Sequence, residues 1–285
     1  MKSYKADWVV PVSCDPIRCG VVDVEDGLIK RVYQGNYSSK VKYVGGTILP
    51  GFINAHTHLE LSGFGERIVP HKYGIANWLH NFNDLFPEVG YDEDSIAIAV
   101  SNLKKYGIVA VGDVTSSFVS TKYLNGFGLG GVVFVESIDG LGLEAKDVEC
   151  PKKEGDLLVS PSPHSLYGTS NKIIREIFFK NGESRQTCLH WLESADELEF
   201  LRNQTGELHG LLERIWPQIS FQYKSSLMNI DTFIDDYFGT KTTLVHSVEA
   251  DEEMIQKYKE TNTHVILCPR SNQTISGKNP LVERF

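Results

Sequence analysis

The chain has 285 residues, of which 41% are hydrophobic and 23% are charged, and its formal net charge is −9. This length and apolar content suffice for one large domain, or for one large and one small domain. The acidic balance argues against proteins that bind nucleic acid or anionic membranes through a basic surface. No apolar run reaches the length of a membrane span, and the five cysteines are irregularly spaced. We therefore expect a cytoplasmic protein.

Residues 1–47 are rich in short β-type runs. The runs are "ADWVVPVS", "CGVVDVEDGLIKRVY" and "KVKYVGGTI", and "EDG" has the composition of a tight turn. This pattern predicts a small antiparallel β unit, and it predicts a domain division into 1–47 and 48–285.

From residue 48 onwards, apolar runs alternate with amphipathic segments. The runs are "TILPGFINAHTH", "YGIVAVGDVT", "GGVVFVES", "DLLVSPSPHS", "QTCLHWLES", "TTLVHSVEA" and "THVILCPRSN". The segments between them include "YDEDSIAIAVSNLKKY", "SNKIIREIFFKN", "SADELEFLRNQ" and "DEEMIQKYKETN". This alternation predicts an α/β fold with a parallel sheet.

Each of the seven predicted strands ends in polar residues. These ends carry His56 and His58, Asp113, Glu136, His164, His190 and Glu193, His246, and Arg270-Ser271-Asn272. In a (β/α)₈ barrel the reactive groups lie at the carboxyl ends of the strands. A TIM-like barrel has eight strands, so either the fold is not such a barrel or the eighth βα unit lies beyond this chain. We expect the second alternative.

The first strand end carries an H-x-H pair, His56 and His58. Alternate residues of a strand point to the same side, so the pair can direct two imidazoles at one metal ion. Two hydrogen-bonded histidines at the rim of a strand are the alternative.

Two further strand ends offer histidines. His190 begins "HWLES", in which Glu193 can serve as a general acid and base beside a metal-activated water. The structural alternative is that Ser194 caps the following helix with Glu197 as its third residue, and both can hold, because Ser194 can cap while Glu193 points into the mouth of the barrel. His246 ends the sixth strand, and a structural role is its alternative. His164 ends the fourth strand in a loop at the same edge, where a substrate contact is plausible.

These motifs, in this order, resemble the amidohydrolase superfamily in its metal-dependent aminohydrolase (deaminase) branch. The resemblance implies a distorted (β/α)₈ barrel, with residues 1–47 contributing to a composite β-sandwich. It implies one divalent metal, zinc or alternatively iron, held by His56, His58, His190 and an eighth-strand Asp. Glu193 then transfers protons, and His246 orients the water that the metal activates.

Within that branch, "HLELS", "KYGIANWL" and "SPHSLYGTS" resemble the aminofutalosine deaminases. This implies hydrolysis of the 6-amino group of aminodeoxyfutalosine, a purine nucleoside of menaquinone biosynthesis, with release of ammonia. Glu60, Trp78, Glu88 and His164 are then candidate substrate contacts, and a homodimer is an expected assembly. Alternatives are a methylthioadenosine or S-adenosylhomocysteine deaminase and a guanine- or triazine-type aminohydrolase.

This sequence departs from the family pattern at one point. The eighth-strand Asp, a metal ligand and the base for the water, has no counterpart in these 285 residues. We therefore expect this 285-residue polypeptide by itself to be poorly stable and inactive. An inactive, truncated homologue is the alternative from another functional class.

Overall fold

A computed structural model describes residues 1–35, 40–68, 71–138, 153–182, 186–215 and 227–285, and Cys150 lies outside these ranges. The described residues form two compact units, Met1–Phe52 and Ile53–Phe285. The predicted division after residue 47 stays a prediction. Among the described helices, none has both the length and the apolar character that crossing a bilayer requires.

The first unit consists of short strands in two sheets. The strands are β1 (Lys2–Lys5), β2 (Trp8–Val9), β3 (Ile17–Arg18), β4 (Gly20–Glu25), β5 (Leu28–Gln34), β6 (Lys42–Tyr43) and β7 (Thr47–Ile48). The sheet orders are β5-β4-β1-β6 and β3-β2-β7. As predicted, a two-residue turn joins β4 to β5, with Asp26 at φ 51° and Gly27 at φ 77°. Both positive values suit an Asp-Gly hairpin turn.

The prediction that this unit is antiparallel is wrong in part. β1 pairs with β6, and β2 pairs with β7, in parallel. These pairs join segments that are far apart in sequence, so no hairpin turn sets their direction.

The second unit contains the seven predicted strands. Its strands are β8 (Phe52–Thr57), β9 (Ile108–Thr115), β10 (Gly130–Ser137), β11 (Lys153–Glu154), β12 (Leu157–Pro163), β13 (Thr187–Trp191), β14 (Thr242–His246) and β15 (His264–Ile266). They form sheets in the orders β11-β12-β10-β9-β8 and β13-β14-β15. Apart from the added β11, each strand comes from one predicted apolar run. The pairs β9–β10, β10–β12, β13–β14 and β14–β15 are parallel.

Side-chain and backbone hydrogen bonds connect β12 to β13. The Ser162 hydroxyl accepts from the Cys188 amide at 2.9 Å and donates to the Cys188 carbonyl. The His190 amide donates to the His164 carbonyl, also at 2.9 Å. The two sheets therefore meet at neighbouring strands, and the carboxyl ends of β12 and β13 lie side by side.

A glycine permits close contact between β8 and β9. A Cβ atom at Gly112 would lie 2.2 Å from the Ala55 carbonyl oxygen. Because no side chain fits into that space, Gly112 lets the strand that carries His56 lie against its neighbour.

Helices follow most of these strands, as predicted. They are α1 (Ile75–Val89), α2 (Glu93–Lys105), α3 (Val119–Phe127), α4 (Asn171–Asn181), α5 (Ala195–Asn203), α6 (Gly206–Ile215), α7 (Ile230–Tyr237), α8 (Glu252–Thr261) and α9 (Pro269–Ser276). Short 3₁₀ turns occur at Leu59–Leu61, Gly65–Arg67 and Val282–Arg284. The predicted α/β fold class is confirmed.

The core beneath β13 and β14 orients the strand ends. Trp191 is fully buried among Leu189, Phe233 and Tyr258, and its indole donates to the Tyr258 hydroxyl at 2.8 Å. Successive residues of a strand point to opposite faces. Burial of Trp191 in this core therefore directs its neighbour His190 to the other side.

Candidate active site at the strand ends

Four histidine side chains converge at the carboxyl ends of the strands. The ring centroid of His56 lies 5.0 Å from that of His58, 5.1 Å from that of His190 and 5.8 Å from that of His246. The Nε2 atoms of His58 and His190 are 3.0 Å apart. One ring nitrogen each from His56, His190 and His246 lies within 4.8 Å of the other two. The structure thus brings together the histidines singled out in the sequence.

Hydrogen bonds from Nδ1 fix the tautomers of two of these histidines. His190 donates from Nδ1 to the His164 carbonyl at 2.9 Å, and His246 donates from Nδ1 to the Asn272 amide oxygen at 2.8 Å. The Nε2 atom of each ring therefore keeps its lone pair. Hydrogen bonds of this kind orient the histidine ligands of metal sites.

The donor set fits a divalent metal of the first transition row. Two nitrogens bound to one zinc at about 2.0–2.1 Å lie roughly 3 Å apart, which matches the 3.0 Å between His58 and His190. The Nδ1 atom of His56 is buried and has no hydrogen-bond partner among the described residues. A metal between His58 and His190 would resolve their close nitrogen pair.

Burial keeps these imidazoles neutral near pH 7. It lowers the pKa of His56 and of His58 well below the usual value, and the neighbouring histidines lower both further. It lowers the pKa of His164, His190 and His246 to about 4. Neutral imidazole is the form that binds metals.

Glu193 lies beside this cluster. Its Oε1 atom is 3.3 Å from His246 Nε2 and accepts from the Ser271 hydroxyl at 3.4 Å. Its carbonyl accepts from the Ser276 hydroxyl of α9. Burial raises the pKa of Glu193 to about 7, so the carboxyl group can both give and take a proton near neutral pH.

Glu197 holds the turn that carries Glu193. Its two carboxyl oxygens accept from the amides of Leu192 at 3.1 Å and Glu193 at 2.7 Å. Leu192 has a φ of 50°, an uncommon conformation for such a residue. Burial raises the pKa of Glu197 to about 8.

The side-chain cap of α5, which is the alternative role of this segment, is not formed, although the helix starts where expected. Ser194 is the N-cap residue, but its side chain makes no capping hydrogen bond. Its hydroxyl instead accepts from the Ile75 amide at 3.1 Å and donates to Asp196. Contacts with a distant helix therefore replace the local cap.

The four predicted substrate contacts occupy different surroundings. The His164 ring lies 4.7 Å from the His190 ring. Glu60 is buried and accepts from the Ser116 and Ser117 amides. Trp78 is half-buried and stacks on Phe82 at 5.4 Å. The Glu88 carboxylate is 70% exposed and pairs with Arg67. The described contacts bring only His164 directly to the histidine cluster.

Two residues near the cluster received no role from the sequence. Asn272 orients His246, and the only sequence signal for it is its place in "CPRSN". Glu136 is the residue before the last of β10, and its carboxylate lies within 4.8 Å of the ligand atoms of His164 and His190. Burial raises the pKa of Glu136 to about 7. Its position at a strand end was the signal.

Comparisons with known proteins agree with this geometry. No protein-family model matches the sequence. The chain is 28% identical over 254 residues to a Helicobacter pylori protein named adenosine deaminase, covering 83% of this chain and 60% of that protein. It is 26% identical over 249 residues to the aminodeoxyfutalosine deaminase of a Nitratiruptor species, covering 81% and 58%. The chain thus spans about 60% of the length of these curated relatives.

A solved structure shares the fold. The crystal structure of Helicobacter pylori aminofutalosine deaminase in complex with methylthio-coformycin superposes with a TM-score of 0.83 at 24% identity. The match covers 100% of this chain and 74% of the other. The predicted resemblance of this chain to the deaminases that act on adenosine and aminodeoxyfutalosine is confirmed by the two curated relatives, and its fold is that of the Helicobacter enzyme.

Proposed function

We propose that this protein is a metal-dependent aminohydrolase that removes the 6-amino group of a purine nucleoside as ammonia. One observation carries the proposal. Four neutral imidazoles, those of His190 and His246 buried and those of His56 and His58 partly buried, meet the Glu193 carboxyl group at the strand ends, with two facing imidazole nitrogens 3.0 Å apart. This combination suits a metal site with an adjoining acid and base.

In this proposal, His56, His58 and His190 hold one divalent metal. His190 has the lone pair that the site needs on Nε2, because it commits Nδ1 to the His164 carbonyl, and His58 Nε2 faces that atom at 3.0 Å. When bound, such a metal supplies Lewis-acid activation of water. Zinc suits this donor set best, and iron is the alternative, since nitrogen and oxygen ligands discriminate weakly between these metals.

Glu193 moves the protons. Its carboxyl group protonates a purine ring nitrogen, which makes the amino-bearing carbon electrophilic. A bond then forms from that carbon to the water oxygen, and the eighth-strand Asp that the family resemblance implies would take up the proton that the water releases. This proton passes to the amino group as the carbon–nitrogen bond breaks and ammonia leaves, and the proton left on the new hydroxyl group returns to Glu193, which restores its carboxylic acid as the carbonyl forms. His246, 3.3 Å from Glu193, orients the attacking water.

Aminodeoxyfutalosine is the substrate we propose, which assigns the protein to menaquinone biosynthesis. The name of the Nitratiruptor relative and the fold of the Helicobacter enzyme support this choice. Adenosine is the second candidate, because the Helicobacter relative at 28% identity is named adenosine deaminase. Methylthioadenosine, S-adenosylhomocysteine, guanine and triazines remain the other substrates to test.

Ammonia release tests the proposal. The natural gene product, loaded with zinc, is assayed against these purines and triazines. We expect the highest kcat/KM with aminodeoxyfutalosine, and release from none of them would overturn the proposal. Glu193→Gln keeps the size of the side chain, so we expect unchanged zinc content and at least a roughly hundredfold loss of turnover. The matched control is Glu199→Gln, on the exposed side of α5, which should behave like wild type. Activity retained in Glu193→Gln would show that its assigned role is wrong.

The remaining expectations stay proposals. The cytoplasm is supported by the free thiols of all four described cysteines. The net charge of −9 supports the absence of nucleic-acid and membrane partners, and a homodimer awaits a measurement of mass in solution. Glu60, Trp78, Glu88 and His164 stay proposed substrate contacts. Whether the 285 residues alone are inactive is tested by the same ammonia assay on this chain.

A further inference from the structure

Glu136 is a buried carboxyl group that is only half satisfied. The residue is 7% exposed. Its Oε1 atom accepts from the Ser116 hydroxyl at 2.8 Å, whereas Oε2 is buried without a hydrogen-bond partner among the described residues. Leaving a buried polar atom unpaired is unfavourable, because the atom has lost its hydrogen bonds to water. An unpaired group of this kind in a folded protein calls for a functional explanation.

Glu136 lies on a different side of the cluster from Glu193. Its carboxylate is within 4.8 Å of ligand atoms of His164 and His190, at the ends of β10, β12 and β13. Glu193 instead contacts His246, at the end of β14. In the strand order, His190 stands between the two carboxyl groups. Glu136 is therefore separated by His190 from Glu193, the group that acts at the reacting carbon–nitrogen bond in the proposed function.

A rigid network holds Glu136 in place. Ser116 donates its amide to Glu60 at 2.8 Å and its hydroxyl to Glu136 at 2.8 Å. Glu60 also accepts from the Ser117 amide at 3.0 Å and from the Thr115 hydroxyl. The unpaired oxygen is thus presented in a fixed position, which favours recognition of a ligand.

A second metal ion is a poor occupant for this position. Glu136, His164 and His190 have the spacing of metal ligands, but His190 donates Nδ1 to the His164 carbonyl. Only His190 Nε2 is available, and it already faces His58 Nε2 at 3.0 Å. Because its one available nitrogen belongs to the proposed metal site, the His190 imidazole cannot also bind a second ion beside Glu136.

We infer that Glu136 is a substrate-recognition residue whose Oε2 atom accepts a hydrogen bond from a hydroxyl group on the sugar side of the nucleoside. This inference rests on the proposed function and adds to it a binding residue. It also implies selection against ligands that carry a negative charge at this position, since a carboxylate and an anion repel strongly in a dry pocket.

Binding of a nucleoside analogue tests the inference without turnover. Methylthio-coformycin is titrated calorimetrically into the zinc-loaded protein. Glu136→Leu keeps the approximate volume and removes the acceptor, so we expect roughly tenfold to hundredfold weaker binding. Zinc content should not change, and the urea midpoint should not fall. Glu136→Gln keeps one acceptor oxygen and should recover much of the affinity. The control is Glu253→Gln, an exposed carboxyl group of α8.

Three outcomes would overturn the inference, and they differ from one another. Equal affinity in wild type and Glu136→Leu would show that Glu136 does not touch the ligand. A loss of bound zinc in Glu136→Leu would show that it is a metal ligand. A wild-type protein that binds zinc but not the analogue would overturn the proposed function as well.

Discussion

The turn that presents Glu193 depends on a second, fully buried carboxyl group. Glu197 accepts from the amides of Leu192 and Glu193 at 3.1 and 2.7 Å, and it has no exposed surface. We predict that replacing it with alanine destabilises the protein and misplaces Glu193. Each backbone amide left without an acceptor in a buried site costs about 1–3 kcal/mol.

Glu197→Ala leaves two buried amides without an acceptor, so we expect the free energy of unfolding to fall by about 2–4 kcal/mol. Two unpaired amides could cost up to roughly 6 kcal/mol, but the substitution also removes the cost of burying the carboxyl group, which makes the expected loss smaller. Glu197→Gln retains one acceptor oxygen, so its loss should be about half as large.

Urea unfolding of the metal-free protein at pH 7 measures this effect, because the free energy of metal binding then does not contribute. Glu199→Ala on the same helix removes an exposed carboxyl group and should change stability by no more than about 0.5 kcal/mol. A loss in Glu197→Ala no larger than that of Glu199→Ala would refute the positioning role.

Three further predictions concern turnover, the pH dependence of stability and stabilisation by zinc. Asn272→Ala removes the 2.8 Å partner of His246 and should lower turnover of the natural gene product by about tenfold to hundredfold; unchanged kinetics would contradict this. Burial raises the pKa of Asp113 to about 7, so its contribution to stability is present below the unfolded pKa and is lost as pH rises through about 7. From pH 5 to 8, the free energy of unfolding of wild type should therefore fall by on the order of 2–3 kcal/mol relative to that of Asp113→Asn, as measured by urea unfolding. Parallel pH profiles of the two proteins would contradict this prediction. Zinc at a hundredfold excess over its Kd should stabilise wild type by about 2.7 kcal/mol, and His58→Ala should show little of this gain; equal gains would exclude His58 as a ligand.

Local chemistry explains what the sequence predicted correctly. The hairpin at Asp26 and Gly27 follows from the positive φ values that such a turn demands. The convergence of His56, His190 and His246 follows from the rule that parallel strands place their carboxyl ends at one edge.

Long-range contacts explain what the sequence could not predict. Ser194 has the composition of a helix cap, but its hydroxyl bonds to Ile75, 119 residues away in the chain. The parallel pairs of the first unit likewise join segments without a hairpin between them.

Two sequence segments carry further local signals. "CPRSN" has the polar composition of a strand end, but its proline also suits the first turn of a helix, and residues 269–276 form α9. Proline is common at that position of a helix. Glu136 lies near a strand end, as the histidines do, and the sequence shows no more than that. The structure adds that Ser116, next to the end of β9, donates to one carboxyl oxygen of Glu136 and that the other oxygen has no described partner.

The most direct test of the central claim joins metal occupancy to chemistry. The natural gene product is stripped with a chelator and titrated with zinc, while ammonia release from aminodeoxyfutalosine is followed. We predict that the metal-free protein is inactive and that activity rises in proportion to bound zinc up to one equivalent. Full ammonia release by the metal-free protein, or zinc bound at one equivalent with no release, would contradict the account.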